Sequence, residues 1–113
     1  MSAITELAGR LGKTIASSPE AIALRDARKA LNAQPDVAQL LKDFQAQSDK
    51  IQQLTADNKP VEVDDKHALQ ELQDKLVASE VFKKYTAAQV NYIDLMRQVN
   101  QAIQAELAPT EGQ

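Results

Sequence analysis

The stretch that decides the fold is Ser79 to Leu107, SEVFKKYTAAQVNYIDLMRQVNQAIQAEL, which contains neither glycine nor proline. Its apolar residues recur at steps of three and four, so they lie on one face of a single helix. They are Phe82, Tyr85, Ala88, Tyr92, Leu95, Met96, Val99, Ile103 and Leu107. A helix of this span is about 43 Å long, since each residue adds ~1.5 Å. One wall of a small globule needs less, so the surplus apolar face predicts a neighbour, either an earlier helix or a second copy of the chain.

The four prolines, at positions 19, 35, 60 and 109, separate the helical segments, and none falls inside a strongly periodic stretch. We predict helices over about 2–16, 19–33 and 35–58, a fourth capped by Asp64 or Asp65, and a fifth over 79–107. Ser18-Pro19-Glu20 is the clearest start signal, because it offers an N-cap, a first-turn proline and a first-turn acid. The pattern leaves open whether the fourth and fifth helices are separate or joined through a kink.

These segments predict an all-α fold. We expect one helical domain over residues 1–107, a bundle of about five helices of which two are long, and a disordered polar tail over 108–113. The third and fifth helices are long enough to pack antiparallel as a hairpin, near the shallow crossing angle of coiled-coil packing. The excess apolar face of the fifth helix predicts a homodimer, or a higher homo-oligomer, that forms through the long helices.

The composition argues against several classes of function. The chain has no cysteine, so it forms no disulfide and offers no thiolate to zinc, to an iron–sulfur cluster or to a nucleophilic mechanism. The net charge is −3, and acidic residues cancel the basic ones of the first half, which leaves no basic stripe for phosphates. No run of about 18 apolar residues is present, and charges interrupt the amphipathic N-terminal segment. We therefore expect a cytoplasmic protein that binds neither nucleic acid nor a membrane directly.

Motifs for chemistry are weak. The segment from Gly9 to Thr14, GRLGKT, lacks the first glycine of a phosphate-binding loop, because Leu7 occupies that position and no strand precedes it. His67 is the only histidine, and with Glu71 one turn later it supplies two ligands where structural zinc needs four.

The acidic residues 62, 64 and 65 lack the ligand spacing and the glycine of a calcium loop, so we interpret them as residues of a helix start. No Ser-His-Asp set can be assembled around the single histidine. We expect no catalytic, cofactor-binding or metal-binding residue, and hence no enzyme.

The candidate functional residues lie on the apolar face of the last helix. Tyr85 and Tyr92 are seven residues apart, and each suits either a core position with its hydroxyl at the edge or an interface anchor. The predicted interface comprises Tyr85, Ala88, Tyr92, Met96 and Ile103. The predicted core of the same helix comprises Phe82, Leu95 and Val99. Val90 and Ile93 widen the apolar face, which favours burial against more than one neighbour.

Three segments, in order, carry a resemblance. The first is Leu11 and Ile15 followed by Ser17-Ser18-Pro19-Glu20. The second is Ala27, Leu31, Pro35, Leu40, Leu41 and Phe44, and the third is Phe82, Tyr85, Ala88, Tyr92, Leu95, Met96, Val99, Asn100 and Ile103. Their order and linkage, from about Leu7 to Ile103, resemble the YlbF/YmcA family of small helical bacterial regulators, the control of competence family.

The resemblance implies an all-helical fold that dimerises through its long helices. It also implies a non-catalytic role as a partner in a complex that modulates RNA processing and influences competence, sporulation and biofilm formation. Some members are associated with iron–sulfur clusters in that complex, whereas this chain has no cysteine to donate and carries no such cluster alone. The residues leave an alternative open, a structural or chaperone-like helical holdase that binds apolar segments of other proteins.

Overall fold

The computed structural model describes residues 2–108, which form five α-helices and no strand. The helices are α1 (Ala3–Ala16), α2 (Pro19–Asn32), α3 (Pro35–Ala56), α4 (Val63–Val77) and α5 (Glu80–Leu107). The predicted all-α class and helix order are confirmed. The open question about the fourth and fifth helices is also settled: they are separate, because the Ser79 hydroxyl accepts a hydrogen bond from the Phe82 N–H at 3.3 Å and starts α5 anew. Residues 109–113, most of the predicted tail, lie outside the described residues.

The joint between α1 and α2 is short and fully hydrogen-bonded. The Ser18 hydroxyl donates to the Ile15 carbonyl at 2.6 Å, and it accepts from the Ala21 N–H at 3.1 Å. One side chain thus satisfies a carbonyl at the end of α1 and an amide at the start of α2. Arg25 donates from Nη2 to the Ala16 carbonyl at 2.6 Å, which ties α2 back to the end of α1. The start signal predicted at Ser18-Pro19-Glu20 is confirmed.

The end of α3 is a Schellman motif. Asn58 has φ 57°, the left-handed conformation that asparagine tolerates better than most residues. The Lys59 N–H then reaches the Leu54 carbonyl at 2.8 Å, and the Asn58 N–H reaches the Thr55 carbonyl at 3.1 Å. The chain therefore reverses within a few residues and enters α4 beside α3.

The start of α4 corrects one prediction. Glu62, rather than Asp64 or Asp65, is the N-cap residue, and Asp65 lies at the third helical position. There its carboxylate accepts from the Glu62 N–H at 3.2 Å, the reciprocal half of a capping box. An aspartate at the third position and one at the cap look alike in sequence, since both are favoured by the positive end of the helix dipole.

The hairpin of the fold is α3 with α4, not α3 with α5 as predicted from their lengths. The tight turn at Asn58 leaves six residues, 57–62, between the two helices, and so short a connection makes consecutive helices antiparallel neighbours. Leu31, Val37 and Leu76 form the buried core of this part of the chain. The half-buried side chains around it are Leu40, Leu41, Phe44, Val81, Phe82 and Tyr85.

The chain divides into two compact units. One, the core unit, is Arg28–Tyr85, and the other, the terminal unit, combines the chain up to Ala27 with the chain from Thr86 onward. The boundaries fall inside α2 and α5, which continue through them. The core unit contains the three buried residues named above, whereas Ala88 is the only buried residue of the terminal unit within residues 2–108. The terminal unit therefore lacks a core comparable to that of its neighbour.

Candidate interaction surface

Exposed apolar side chains concentrate in the terminal unit. Among the described residues ten large aliphatic side chains are exposed, and eight of them belong to this unit. The eight are Ile4, Leu7, Leu11, Ile22, Val90, Ile93, Ile103 and Leu107. Single exposed aliphatic residues are ordinary, but contiguous sets mark binding surfaces. The terminal unit is consequently the place to look for an interface.

One such set is the apolar stripe of α1. Ile4, Leu7 and Leu11 follow one another at steps of three and four and are 79%, 61% and 39% exposed. Glu6, Arg10 and Lys13 lie on a neighbouring face of the helix, also at steps of four and three. Within the single chain, these three side chains of α1 are therefore open to solvent.

The second set lies on α5, where the wide apolar face resolves into two stripes. The first seam, Tyr85, Ala88, Tyr92, Leu95 and Val99, is buried or half-buried along its whole length. The second seam, Ile93, Met96, Asn100 and Ile103, lies beside it and is more open, with Ile93 60% and Ile103 45% exposed. Both seams step by three and four residues, so each could contact a different neighbour.

The second seam borders an open groove of about 540 Å³ that is lined by residues of α5 alone. The lining residues are Tyr92, Ile93, Met96, Arg97, Asn100, Gln101 and Gln104. Arg97 is its one charged side chain, and that guanidinium forms an ion pair with Asp94 on the same helix. A mostly neutral, apolar groove suits another helix better than a charged small molecule.

The predicted interface residues divide between the two seams. Met96 and Ile103 lie on the second seam, and Tyr92 on the first also lines the groove. Tyr85 packs against the core of the core unit, and Ala88 is already buried at 7% exposure. Their assignment to an intermolecular interface stays a prediction. Asn100 belongs to the segment that carries the family resemblance, but it was not among the predicted interface residues, although it continues the spacing of Ile93, Met96 and Ile103.

A family model described as control of competence regulator ComK, YlbF/YmcA, matches residues 4–108 of this chain. The chain belongs to the YlbF/YmcA family. The match includes both seams of α5, the whole α3–α4 hairpin and all but the first residue of α1. No curated protein gives a significant match. The family suspected from the three ordered segments is thus confirmed, and the description of the family fits a regulatory role.

The sequence motifs considered above for phosphate or metal binding in this YlbF/YmcA-family chain either have a structural role or lack the partner residues of a site. The segment from Gly9 to Thr14 lies inside α1, and the Thr14 hydroxyl donates to the Arg10 carbonyl at 2.9 Å, so the segment is a helix rather than a phosphate loop. His67 is exposed on α4. Within residues 2–108 no three His, Asp or Glu side chains come together in a group that could hold a metal ion.

Asp65, at the start of α4, joins that helix to α3. Lys50 Nζ lies 2.8 Å from its Oδ1, and Gln47 Nε2 donates to its backbone carbonyl at 2.9 Å. The hydrogen bond from Lys50 holds the pKa of Asp65 below its ordinary value, with help from the Glu62 N–H and against partial desolvation. The cluster explains how α3 and α4 are held together and points to no ligand.

None of the helices described is both long and apolar enough to cross a lipid bilayer.

Proposed function

We propose that this YlbF/YmcA-family chain is a non-catalytic regulatory interaction protein. It acts as a homodimer formed through α5, in a cytoplasmic complex with a protein partner that modulates RNA processing and thereby competence, sporulation or biofilm formation. The observation that carries the proposal is the uneven burial described above, with an exposed apolar surface concentrated in one unit of a chain whose family is named for a regulator.

The area available supports a homodimer. Each side of a standard protein interface buries about 800 Å². Four of the eight exposed aliphatic side chains of the terminal unit lie on α5 and offer apolar surface to such an interface: Val90, Ile93, Ile103 and Leu107. One unit with three buried residues and a second with only Ala88 among the described residues is the distribution expected when association completes the folding of the second.

Light scattering tests the dimer. At micromolar concentration we expect about twice the 12.4 kDa mass of the chain. A monomeric mass at the same concentration would contradict association through α5, whatever the protein partner is.

Affinity purification from the native host tests the regulatory role. We expect one stoichiometric partner complex that contains an RNA-processing enzyme and that an excess of the untagged chain competes away. Recovery of many unrelated proteins, together with suppression of their aggregation in a refolding assay, would support the holdase instead.

A folded His67→Ala variant tests the absence of catalysis. His67 is exposed in the first half of α4, so its removal should change the free energy of unfolding by no more than about 0.5 kcal/mol. We expect partner binding and function in the host at wild-type levels. Loss of function with binding and fold intact would return a chemical role to this residue.

A further inference from the structure

We infer that the second seam of α5 binds the same seam of a second copy, in a parallel and in-register helix pair in which Asn100 faces Asn100 of the partner subunit. The inference rests on the proposed homodimer and adds its surface, its orientation and its register.

The spacing of the second seam suits a helix of the same kind. Ile93, Met96, Asn100 and Ile103 step by three, four and three residues, which is the alternation of a and d positions in a coiled coil. In that frame Ile93 and Asn100 take a positions, and Met96 and Ile103 take d positions. The first seam has the same spacing but is less available, because Tyr85 packs on the core and Ala88 is buried within the chain.

The side chain of Asn100 indicates which partner the second seam binds. It is an exposed amide in the middle of an otherwise apolar seam, and an apolar partner would bury it without hydrogen bonds. A carboxamide offers both donors and an acceptor, so it is satisfied by a second carboxamide placed opposite. A second copy of this chain supplies that group at the required height, and a single asparagine at an a position is a known determinant of register and of two-stranded association.

The orientation follows from the same frame. In a parallel pair Asn100 meets its own copy, and Arg97 flanks the seam next to Tyr92 of the partner subunit, where a guanidinium can stack on the ring. An antiparallel pair aligned on the same apolar residues would set Asn100 against Met96 of the partner subunit. It would also bring the two Arg97 side chains to the same side of the contact. Both consequences are unfavourable, so the parallel arrangement is preferred.

Disulfide cross-linking tests the arrangement directly. Because the chain has no cysteine, any disulfide must come from the introduced residue. We expect Ile103→Cys and Ile93→Cys each to form a disulfide-linked dimer with itself under mild oxidation, because facing seam positions of a parallel pair lie within disulfide reach. Ala105→Cys is the matched control: it is exposed on the same helix but lies away from the second seam, and it should remain unlinked.

The outcomes separate this inference from the proposed homodimer. Cross-linking only between Ile93→Cys and Ile103→Cys when the two variants are mixed would overturn the parallel orientation. In that antiparallel pair the two copies of residue 103 stand ten residues apart, or about 15 Å along the axis. A dimeric mass without any cross-link at either position would overturn the second seam and leave the homodimer standing. A monomeric mass would overturn both.

Asn100→Leu tests the register residue itself. Removing the amide from an a position should tighten association at least tenfold and populate species larger than a dimer, since specificity is lost with the polar pair. Asn91→Leu, an exposed asparagine of α5 away from both seams, should leave mass and affinity unchanged. Equal behaviour of the two variants would overturn the role of Asn100.

Discussion

Asp65 shows how one side chain can fasten two helices. Its carboxylate accepts hydrogen bonds from Lys50 of α3 and from the Glu62 N–H at the start of α4. Its backbone carbonyl accepts a further hydrogen bond from the Gln47 side chain of α3. Lys50 is more than half exposed, so the ion pair is solvent-screened and its contribution is modest. The lowered pKa of Asp65 nevertheless shows that the charged carboxylate stabilises the folded chain.

A pH titration of stability tests that contribution. The pKa of Asp65 is lower in the folded chain than in the unfolded one, so the carboxylate contributes its full stability above the unfolded value, near 3.8. That contribution is lost as the pH falls through the folded pKa. We expect the urea midpoint of Asp65→Asn to fall less than that of wild type between pH 6 and pH 2. A parallel loss in the two proteins would contradict the assignment.

Asn58 gives a second prediction at the scale of one residue. Because its φ is positive, Asn58→Ala should destabilise the chain by about 1 kcal/mol, whereas Asn58→Gly should be neutral or stabilising. The same Asn→Ala change at Asn91, inside α5 and exposed, should stabilise slightly because alanine is the better helix former. Opposite signs at the two positions in urea unfolding are the expected result.

At the scale of the helices, the ends were predictable and the pairing was not. Proline, serine and first-turn acids act through local backbone geometry, so Ser18-Pro19-Glu20 and Pro35 located helix starts to within a residue or two. The pairing of α3 with α4 depends on a left-handed backbone conformation at Asn58, which asparagine tolerates but does not require. The apolar face of α5 was equally visible in sequence. Its division into a covered and an open seam required the rest of the fold.

The two glycines of α1 allow a test of that helix as an element. A Cβ at Gly9 or at Gly12 would meet nothing within 4 Å. Glycine inside a helix costs about 0.5–1 kcal/mol relative to alanine, so Gly9→Ala and Gly12→Ala should each stabilise the protein by up to that amount. Calorimetric melting measures the effect. Destabilisation by Gly12→Ala alone would instead show that another chain approaches α1 closely at that point.

At the scale of the whole molecule, core and interface can be told apart by dilution. Leu76 is 1% exposed, so Leu76→Ala should cost about 2–5 kcal/mol at every protein concentration. Ile103→Ala removes a side chain that is 45% exposed in the single chain, and Val77→Ala removes one that is 47% exposed in the core unit. If α5 dimerises, Ile103→Ala lowers the melting temperature most at high concentration, where wild type is paired.

Val77→Ala serves as the matched control for that experiment. It should shift the melting temperature little, and equally across a hundredfold dilution series. Identical behaviour of Ile103→Ala and Val77→Ala, with a wild-type melting temperature that does depend on concentration, would place the dimer contact elsewhere on the molecule.

The uneven burial of the two units bears on how long a copy survives in the cell. If the chain pairs through α5, an unpaired copy still has the α3–α4 hairpin around Leu31, Val37 and Leu76, and we expect its terminal helices to open at a lower cost than that hairpin. Proteases act on such opened segments, and α1 and α5 offer Arg10, Lys13 and Arg97 to a trypsin-like enzyme. Unassembled copies would therefore be trimmed first and assembled ones spared. Pairing would then set the steady-state amount of the protein, so that its supply follows the supply of complexes rather than the rate of synthesis.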